Sequence, residues 1–231
     1  MEIKINTGIL SSNDQTAVEN KKVFDQTGLF VINMMGSPGA GKTTVLEKAI
    51  DILVDSVQVA VIEGDIYTSK DAQRIEKHGV PVKQINTGGA CHLEAKMISR
   101  VLAEFNLAAT QLLIIENVGN LVCPVEFNLG EDIKIAVLSI TEGDDKPLKY
   151  PLLFRESGAV ILNKVDLVDY TDVNMDVLRR DIIRINPGIQ IFEVSARTGR
   201  GIGEWVQWLL EKVKEKKLGY PKAGFFYKRI E

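Results

Sequence analysis

The sequence LFVINMMGSPGAGKT, residues 29–43, decides the fold because an apolar run leads directly into a glycine-rich turn. The run at 29–35 is short, uncharged and mostly apolar, which predicts a buried β-strand. Apolar residues at helical spacing follow from Thr43 to Leu53. Strand, turn and helix in this order predict a βα unit whose turn lies at the carboxyl end of its strand, where α/β proteins bind ligands.

The glycine-rich turn fits the pattern G-x-x-x-x-G-K-[ST] of a phosphate-binding loop, or P-loop. Its glycines let backbone N–H groups converge on phosphate oxygens, and the N-terminus of the following helix adds a favourable dipole. Lys42 is expected to reach the β- and γ-phosphates, and the Thr43 hydroxyl to ligate magnesium. The alternative is a tight turn with unrelated glycines, which the strand–turn–helix context disfavours. The predicted nucleotide-binding residues of this loop are Gly36, Ser37, Gly39, Ala40, Gly41, Lys42, Thr43 and Thr44.

Apolar runs and helical patterns alternate along the rest of the 231-residue chain. This alternation predicts an α/β protein with a three-layer P-loop NTPase fold, in which helices flank a mostly parallel central sheet. We expect an N-terminal arm with a short helix in 1–28, the P-loop GTPase domain in 29–216 and a C-terminal strap in 217–231. The predicted strands are 29–35, 57–62, 82–85, 112–115, 133–139, 159–162 and 189–194, and the predicted helices are 43–53, 69–78, 91–105, 175–185 and 202–216.

Composition disfavours several classes of function. Hydrophobic residues make up 45% and charged residues 26%, and the formal net charge is -3, which gives no electrostatic basis for binding nucleic acid or an anionic membrane. No apolar run approaches the roughly 18 residues of a membrane span, and residues 1–16 lack the apolar region of a secretory signal. Cys91 and Cys123 are the two cysteines, too few for a disulfide framework. We therefore expect a cytoplasmic protein.

The sequence NKVD at 163–166, directly after the predicted strand 159–162, indicates which base is bound. A carboxylate only accepts hydrogen bonds, so Asp166 can pair with the N1–H and exocyclic amine of guanine, whereas adenine offers no donors on that edge. Asn163 is expected to tie this loop to the P-loop, and the Lys164 stem to cover the base. Ser195 and Ala196, after the last predicted strand, fit the companion loop whose backbone N–H meets guanine O6. The order of these motifs predicts GTP rather than ATP.

Acidic residues follow two other predicted strands. Glu116 begins an ENVG sequence where GTPases usually carry Asp-x-x-Gly, with the acid on magnesium through water and the Gly119 N–H on the γ-phosphate. Asp65 is a second acid that can approach the metal or the attacking water; the alternative is a turn-capping residue. We find no assignable arginine finger, and Asn120 stands where a water-orienting Gln is expected, which predicts slow turnover. The predicted catalytic residues are Lys42, Asp65, Glu116 and Gly119, and the predicted Mg2+ ligands are Thr43, Asp65 and Glu116.

Cys91, His92 and Cys123 form a further group, the first two at the start of the predicted helix 91–105 and the third just beyond ENVG. Thiolate and imidazole suit zinc, nickel or copper rather than magnesium. The alternative is two buried structural cysteines and a surface histidine. Three ligands leave a four-coordinate site short by one, which water or a second copy of the cluster across a two-fold axis could supply.

With these motifs the chain resembles the hydrogenase nickel-incorporation GTPases, the HypB family of SIMIBI-class P-loop GTPases. The resemblance implies a homodimer that hydrolyses GTP to GDP slowly and helps deliver nickel to the hydrogenase large-subunit precursor, together with other nickel-insertion accessory proteins. It also implies that Cys91, His92 and Cys123 form a Zn2+ or Ni2+ site at the dimer interface. The stretches that carry the resemblance are GSPGAGKTT at 36–44, EGD at 63–65, CHL at 91–93, ENVGNLVCP at 116–124 and NKVD at 163–166.

Two points qualify the resemblance. Residues 1–35 contain no Cys and no His, so the N-terminal Cys-x-x-Cys-Gly-Cys motif or histidine-rich stretch of many bacterial members is absent. By similarity, the segment 146–154 should lie near the dimer contact, with Lys146 reaching nucleotide of the partner subunit; the alternative is a solvated lysine.

We expect the γ-phosphate to pull on residues 116–119 and so on Cys123, so that GTP with magnesium promotes dimer formation and hydrolysis alters metal affinity.

Other functions fit the sequence less well. Urease accessory GTPases carry Cys-Pro-His after this segment, whereas here Val125 follows Cys123-Pro124 and the histidine is His92. GTPases that protect cobalamin-dependent mutases are typically longer. An ATP-using P-loop kinase is disfavoured by NKVD. A GTP-binding interaction module without metal transfer is the alternative from another class.

Overall fold

The apolar runs of the sequence form a seven-stranded sheet in the computed structural model, which describes residues 7–66 and 70–219. The strands are β1 (Phe30–Met35), β2 (Val59–Asp65), β3 (Val82–Asn86), β4 (Leu112–Glu116), β5 (Ile133–Ser139), β6 (Ala159–Asn163) and β7 (Gln190–Glu193). Beyond Gly219 the predicted C-terminal strap lies outside the described residues, as does the predicted start of a helix at 69.

Helices connect the strands. They are α1 (Thr7–Thr27), α2 (Lys42–Leu53), α3 (Lys70–Glu76), α4 (Ala95–Leu102), α5 (Cys123–Glu126), α6 (Lys146–Lys149), α7 (Pro151–Glu156), α8 (Met175–Ile185) and α9 (Ile202–Lys217). Two 3-10 helices, Ile140–Glu142 and Val165–Tyr170, follow β5 and β6. Helix α8 ends just before Asn186-Pro187-Gly188, because a proline cannot continue a helix.

The strand order β3-β2-β4-β1-β5-β6-β7, with every pairing parallel, confirms the predicted P-loop fold. Parallel strands end at one edge of the sheet, so the loops that follow them meet there. Because β1 lies between β4 and β5, the loop after β1 occupies the centre of that edge. The loops after β2, β4 and β6 surround it.

Alternate residues of each strand face opposite layers, as the period of two in a strand requires. Ile32 and Met34 pack in one core with α2 and with the fully buried Trp205 of α9. Val31 packs on the opposite face with side chains of α1 and α4, and Met35 packs there with α7 and α8. Burial on both faces explains why β1 reads as a continuous apolar run rather than an alternating one.

Helix α1 has 21 residues and is longer than the short leading helix that the sequence predicts. Phe24 is fully buried against Leu29 and Val31, so this helix contributes to the core beside β1. Most of its other side chains are polar or exposed, which hides its periodicity in the sequence. Within residues 7–66 and 70–219, no helix combines the length and apolar character needed to cross a membrane.

The predicted helix 91–105 is wrong at its start, because α4 begins only at Ala95. Cys91 and His92 precede the helix in an irregular segment. Glu94, the N-cap, has extended backbone angles (φ -112°, ψ 154°), and the Ala95 N–H donates to the Asn13 side chain of α1 at 2.8 Å. A tertiary contact therefore sets the helix start, and the local sequence does not show it.

Helices α5, α6 and α7 are four to six residues long and escape a search for periodicity. Each carries a proline in its first turn: Pro124, Pro147 and Pro151. Proline suits this position because its missing N–H would have no partner within the helix. Val125 of α5 and Leu153 and Phe154 of α7 pack on one face of β5 and β6.

Candidate nucleotide and metal site

The P-loop bends between β1 and α2 around Gly41, whose φ of 91° favours glycine. A Cβ at Gly41 would lie 2.4 Å from Asn163 Nδ2, so only glycine allows this close approach. Ser37 Oγ donates to Glu142 Oε2 at 2.5 Å, and the Ser139 N–H donates to the other oxygen of Glu142. The loop is thus fixed from the sides of both β5 and β6.

Lys42 lies at the start of α2 with its side chain turned back over the loop. Its Nζ donates to the Gly36 carbonyl at 3.2 Å and lies 3.4 Å from the Ser37 carbonyl. Burial lowers the pKa of Lys42, and the nearby carboxylates of Glu116 and Glu63 oppose that change. Lys42 therefore presents an amine at the place where the sequence predicts phosphate.

Glu116, the last residue of β4, faces the start of α2. The Thr43 hydroxyl donates to Glu116 Oε1 at 2.7 Å, whereas Glu116 Oε2 is buried without a hydrogen-bond partner among the described residues. Burial raises the pKa of Glu116 to about 7, although Lys42 and the Thr43 hydrogen bond favour its charged form. Two of the three predicted magnesium ligands are thus in direct contact.

Glu63 is an acid of the site that our sequence interpretation did not assign. It pairs with Glu116 in the register of β2 and β4, and its Oε2 is also buried without a partner in the described part of the chain. Burial, with the charges of Glu116 and Asp65, raises the pKa of Glu63 to about 8. The signal was available, because residues two apart on a strand face the same side, as Glu63 and Asp65 do.

The acidic residues at this edge fit a magnesium ion. Ligand oxygens of Glu63, Asp65 and Asp71 lie within 4.8 Å of one another, and Thr43 and Glu116 stand beside Lys42. Carboxylate and hydroxyl oxygens are the hard ligands that magnesium prefers. Glu63 and Glu116 each have one buried carboxyl oxygen without a partner among the described residues, and a divalent cation would favour their charged forms and bind these oxygens.

The NKVD loop contacts the P-loop as the sequence predicts. Asn163 Nδ2 donates to the Ala40 carbonyl at 2.9 Å, and Lys164 Nζ donates to the Gly39 carbonyl at 2.7 Å. Lys164 has a φ of 65°, a left-handed conformation that turns the chain sharply after β6. The Ala196 N–H donates to Asn163 Oδ1 at 3.1 Å, so the same amide also joins the loop after β7.

Asp166 lies between the loops after β6 and β7. Ser195 Oγ donates to Asp166 Oδ1 at 2.6 Å, and the guanidinium of the exposed Arg197 lies 3.8 Å from Oδ2. The serine thus holds the carboxylate in one orientation, with its second oxygen near Arg197. An acceptor fixed in this way suits a donor edge such as that of guanine.

The ENVG segment lies directly against the P-loop. A Cβ at Gly119 would stand 2.9 to 3.1 Å from atoms of Pro38, so glycine is needed for this approach. The Asn120 N–H donates to the Gly36 carbonyl at 3.0 Å, which forms an antiparallel bridge between the two segments. Residues 116–120 are therefore placed to respond to a group bound at the loop.

The structure brings Cys91, His92 and Cys123 together, with one ligand atom of each within 4.8 Å of the others. Cys91 Sγ lies 3.6 Å from His92 Nδ1, and all three side chains are half-buried. The imidazole of His92 stacks on Phe127 with ring centroids 3.8 Å apart. The three residues therefore form a partly open cluster, although Cys91 and His92 lie before α4 rather than on it.

The electrostatics of this cluster suit a soft cation. Burial lowers the pKa of His92, with Glu94 and Glu126 opposing it, so the imidazole is in the neutral form that binds metals. His92 Nε2 is buried without a hydrogen-bond partner among the described residues. The hydrogen bond with Cys91, and burial, raise the pKa of the Cys123 thiol. A bound cation would reverse this effect by stabilising the thiolate.

The parallel sheet and the loops at its carboxyl edge define a P-loop nucleoside triphosphatase. The chain belongs to the CobW/HypB/UreG family, since the family described as CobW/HypB/UreG, nucleotide-binding domain, matches residues 30–193. The similarity covers the whole sheet, from the start of β1 to the end of β7.

Similar proteins include several HypB maturation factors. The hydrogenase maturation factor HypB of Azotobacter chroococcum mcd 1 is 48% identical over 207 residues, which are 90% of this chain and 68% of that protein. The hydrogenase/urease maturation factor HypB of Helicobacter pylori is 43% identical over 218 residues, 93% of this chain and 89% of that protein. The crystal structure of HypB from Helicobacter pylori in complex with nickel superposes with a TM-score of 0.84 at 41% identity, covering 93% of this chain and 100% of that one.

Proposed function

We propose that this protein is a GTP-hydrolysing metallochaperone that assists nickel insertion during [NiFe]-hydrogenase maturation. The observation that carries the proposal is the position of the cluster formed by Cys91, His92 and Cys123. Cys123 follows Gly119 by a few residues, and Gly119 packs against Pro38 of the P-loop. These three candidate ligands, called the metal cluster below, lie close to the nucleotide site, as a nucleotide-controlled metal carrier requires. The names of the relatives, and the nickel complex of the Helicobacter pylori protein, agree with this function.

The nucleotide is GTP. A carboxylate oriented by Ser195 offers acceptors only, so Asp166 would pair with guanine and face acceptors of adenine. Lys42 would stabilise charge on the β- and γ-phosphates, and the Gly119 N–H would contact the γ-phosphate. Thr43, Asp65 and Glu116, with Glu63 beside them, would hold the magnesium ion that neutralises the transferred phosphoryl group.

Hydrolysis is slow in the isolated protein, because the two candidate side chains for accelerating it, Arg74 and Asn120, are held in other contacts. Arg74 donates to Thr44 next to the P-loop, but its guanidinium is also bound by Glu47 and Asp71. Asn120 accepts the Val122 N–H through its side-chain oxygen and is therefore held away from a water-positioning role. Slow turnover suits a switch whose two states must each persist.

The active form is a homodimer with the metal cluster at its interface. Three ligands leave a four-coordinate site incomplete, and the same cluster of a second subunit could complete it. Leu148 and Leu152, in the segment 146–154, are exposed apolar side chains, as is Val122 beside Cys123. Lys146 lies over the Tyr150 ring, 5.6 Å from its centroid, and would reach the partner's nucleotide from there.

Metal binding by matched histidine variants tests the proposal. The chain has two histidines, and His78, which pairs with Asp51 on the side of α2 and α3, serves as the control. We expect His92→Ala and Cys123→Ala to lose nickel and zinc measured by titration, whereas His78→Ala keeps the wild-type stoichiometry. All three should still bind GTP. Wild-type protein that binds neither metal, or His92→Ala that binds both like the wild type, would contradict the proposal.

A further inference from the structure

The metal cluster stands on two segments that no strand joins to each other. Cys91 and His92 belong to residues 91–95, before α4, and Cys123 belongs to residues 123–129, which contain α5. Neither segment is a strand of the sheet. The side chains that hold their backbones therefore decide where the ligands lie.

The buried side chain of Asn117 joins the first segment to the nucleotide site. Its Oδ1 accepts the Leu93 N–H at 3.1 Å and the Val118 N–H at 3.0 Å, and its Nδ2 donates to Asn33 Oδ1 at 3.1 Å. Leu93 directly follows His92, and Asn117 directly follows Glu116. One amide thus connects the residue beside a metal ligand to the residue beside a magnesium ligand.

The hydrogen bonds continue from Asn33 to the second segment. Asn33 Nδ2 donates to Glu131 Oε1 at 3.2 Å, and Glu131 Oε2 accepts the Leu129 N–H at 2.6 Å. Lys134 Nζ, 3.8 Å from Glu131, donates to the Val125 carbonyl at 2.6 Å. The chain of donors from Leu93 through Asn117 and Asn33 ends on a carboxylate, so each hydrogen bond polarises the next.

Two asparagines of α1 hold the same segments without reaching the nucleotide site. Asn13 Oδ1 accepts the Ala95 N–H, and its Nδ2 donates to the Asn128 carbonyl, both at 2.8 Å. Asn20 Nδ2 donates to the carbonyls of Ala95 at 2.9 Å and Leu129 at 3.1 Å. These contacts also fix the cluster, but they tie it to α1 rather than to the P-loop.

We propose that Asn117 is the positioning residue that transmits the nucleotide state to the metal cluster, an inference that rests on the proposed function. Magnesium would act on Glu116, which precedes Asn117, and a γ-phosphate on Gly119, two residues after it. When residues 116–119 move, the Asn117 side chain either moves Leu93 with it or loses its hydrogen bond to the Leu93 N–H. A buried N–H without a partner destabilises the protein. The movement is therefore passed to residues 91–93 rather than absorbed at Asn117.

Nickel titrations of the full chain test this role, with Asn13→Ala as the matched control for Asn117→Ala. Each protein is titrated with nickel while saturated with magnesium and either GDP or a non-hydrolysable GTP analogue. We expect the two dissociation constants of the wild type to differ about 5-fold or more. In Asn117→Ala the ratio should fall to below about 2-fold, whereas Asn13→Ala should change both constants alike and keep the wild-type ratio.

The outcomes separate this proposal from the function on which it rests. Absence of nickel binding in the wild type overturns the proposed function and the role of Asn117 with it. Nickel binding with equal constants in both nucleotide states overturns the coupling between nucleotide and metal, and the role of Asn117 with it. An unchanged ratio in Asn117→Ala overturns the role of Asn117 alone. If Asn13→Ala also loses the difference between its two nickel dissociation constants, the role of Asn117 is overturned as well.

A measurement on the unsubstituted protein covers the case in which Asn117→Ala does not fold. Hydrogen exchange resolved at single amides compares the Leu93 N–H, which donates a hydrogen bond to Asn117, with the Ala95 N–H, which donates one to Asn13. We expect the protection of Leu93 to differ between the GDP and GTP-analogue states, and that of Ala95 to stay the same. Equal protection of Leu93 in both states would overturn the proposal.

Discussion

The nucleotide site and the metal cluster are built in different ways. The P-loop and NKVD loops are short, follow directly from strands of the same sheet and contact each other through Asn163 and Lys164. The metal cluster stands on irregular segments that are held by amide side chains from distant parts of the chain, such as Asn13, 115 residues from its partner Asn128. The first design gives a fixed geometry, and the second can shift when one of its supports moves.

The largest effect is expected at the P-loop lysine. Lys42→Ala removes the cation beside the phosphates, and loss of such a group should lower the GTP hydrolysis rate by about 100- to 1,000-fold. Phosphate release under single-turnover conditions measures the rate. Lys48→Ala, an exposed lysine of the same helix, is the control and should keep the wild-type rate. Because the two regions are built on different supports, Lys42→Ala should still bind nickel with wild-type stoichiometry; loss of nickel would contradict this difference.

Base recognition should depend on a single carboxylate. Asp166→Asn replaces two charge-assisted acceptors by one acceptor and one donor, and GTP affinity should fall by about 100-fold. The same change should improve binding of xanthosine triphosphate, whose edge offers one donor and one acceptor. Competition against a fluorescent nucleotide measures both. A variant that keeps wild-type affinity for GTP would show that Asp166 does not read the base.

The support of the metal cluster by α1 should depend on pH through Asp132. Burial by itself would raise the pKa of this carboxyl, but Lys21, Lys216 and the Val31 N–H outweigh it and hold the pKa below its usual range. Its stabilising effect is therefore complete above the unfolded-state pKa of about 4 and is lost as pH falls through the lower folded-state pKa. Lys21 lies on α1, so this pairing anchors the helix that holds both metal segments.

Asp132→Asn should lower the free energy of unfolding at pH 7 by about 2 to 3 kcal/mol. The difference from the wild type should shrink as pH falls below about 4. Denaturant titrations at several pH values measure both, and Asp55→Asn, at an exposed position, is the control. Nickel affinity should fall more than GTP affinity, because α1 holds the metal segments. A difference in stability that persists undiminished at low pH would contradict this electrostatic account.

The smallest effect is expected at the proposed dimer surface. Leu148→Ala trims a side chain that is 60% exposed and should weaken dimerisation in the presence of GTP analogue by about tenfold. Sedimentation equilibrium measures the change. Ile183→Ala, another exposed apolar residue on α8, should leave the dimer unchanged. Equal weakening by both variants would place the contact elsewhere.

The sequence predicts the nucleotide side of the molecule well, because its information is local. The P-loop motif, the strand before it and the helix after it occupy a single stretch, and the structure has all three in that order. The parallel sheet follows from apolar runs that are long enough to be recognised. Short helices such as α5 and α6 have no such pattern, so they were not predicted.

The metal side is predicted only in its residue types. Cys91, His92 and Cys123 could be grouped by their chemistry, but the start of the helix was placed too early because the Asn13 contact is not local. Glu63 was missed although it lies two residues before Asp65 and so on the same face of β2, whereas its pairing with Glu116 of β4 is visible only in the structure. The amide contacts of Asn117 are invisible in the sequence for the same reason, since they join segments that only the fold brings together.

The central claim is that nucleotide state controls metal binding through contacts between the two regions. The most direct measurement is the nickel dissociation constant of the full chain with magnesium and GDP, compared with that for magnesium and a non-hydrolysable GTP analogue. Our account predicts constants that differ by about 5-fold or more. Equal constants in the two states, in protein shown to bind both nickel and GTP, would contradict it.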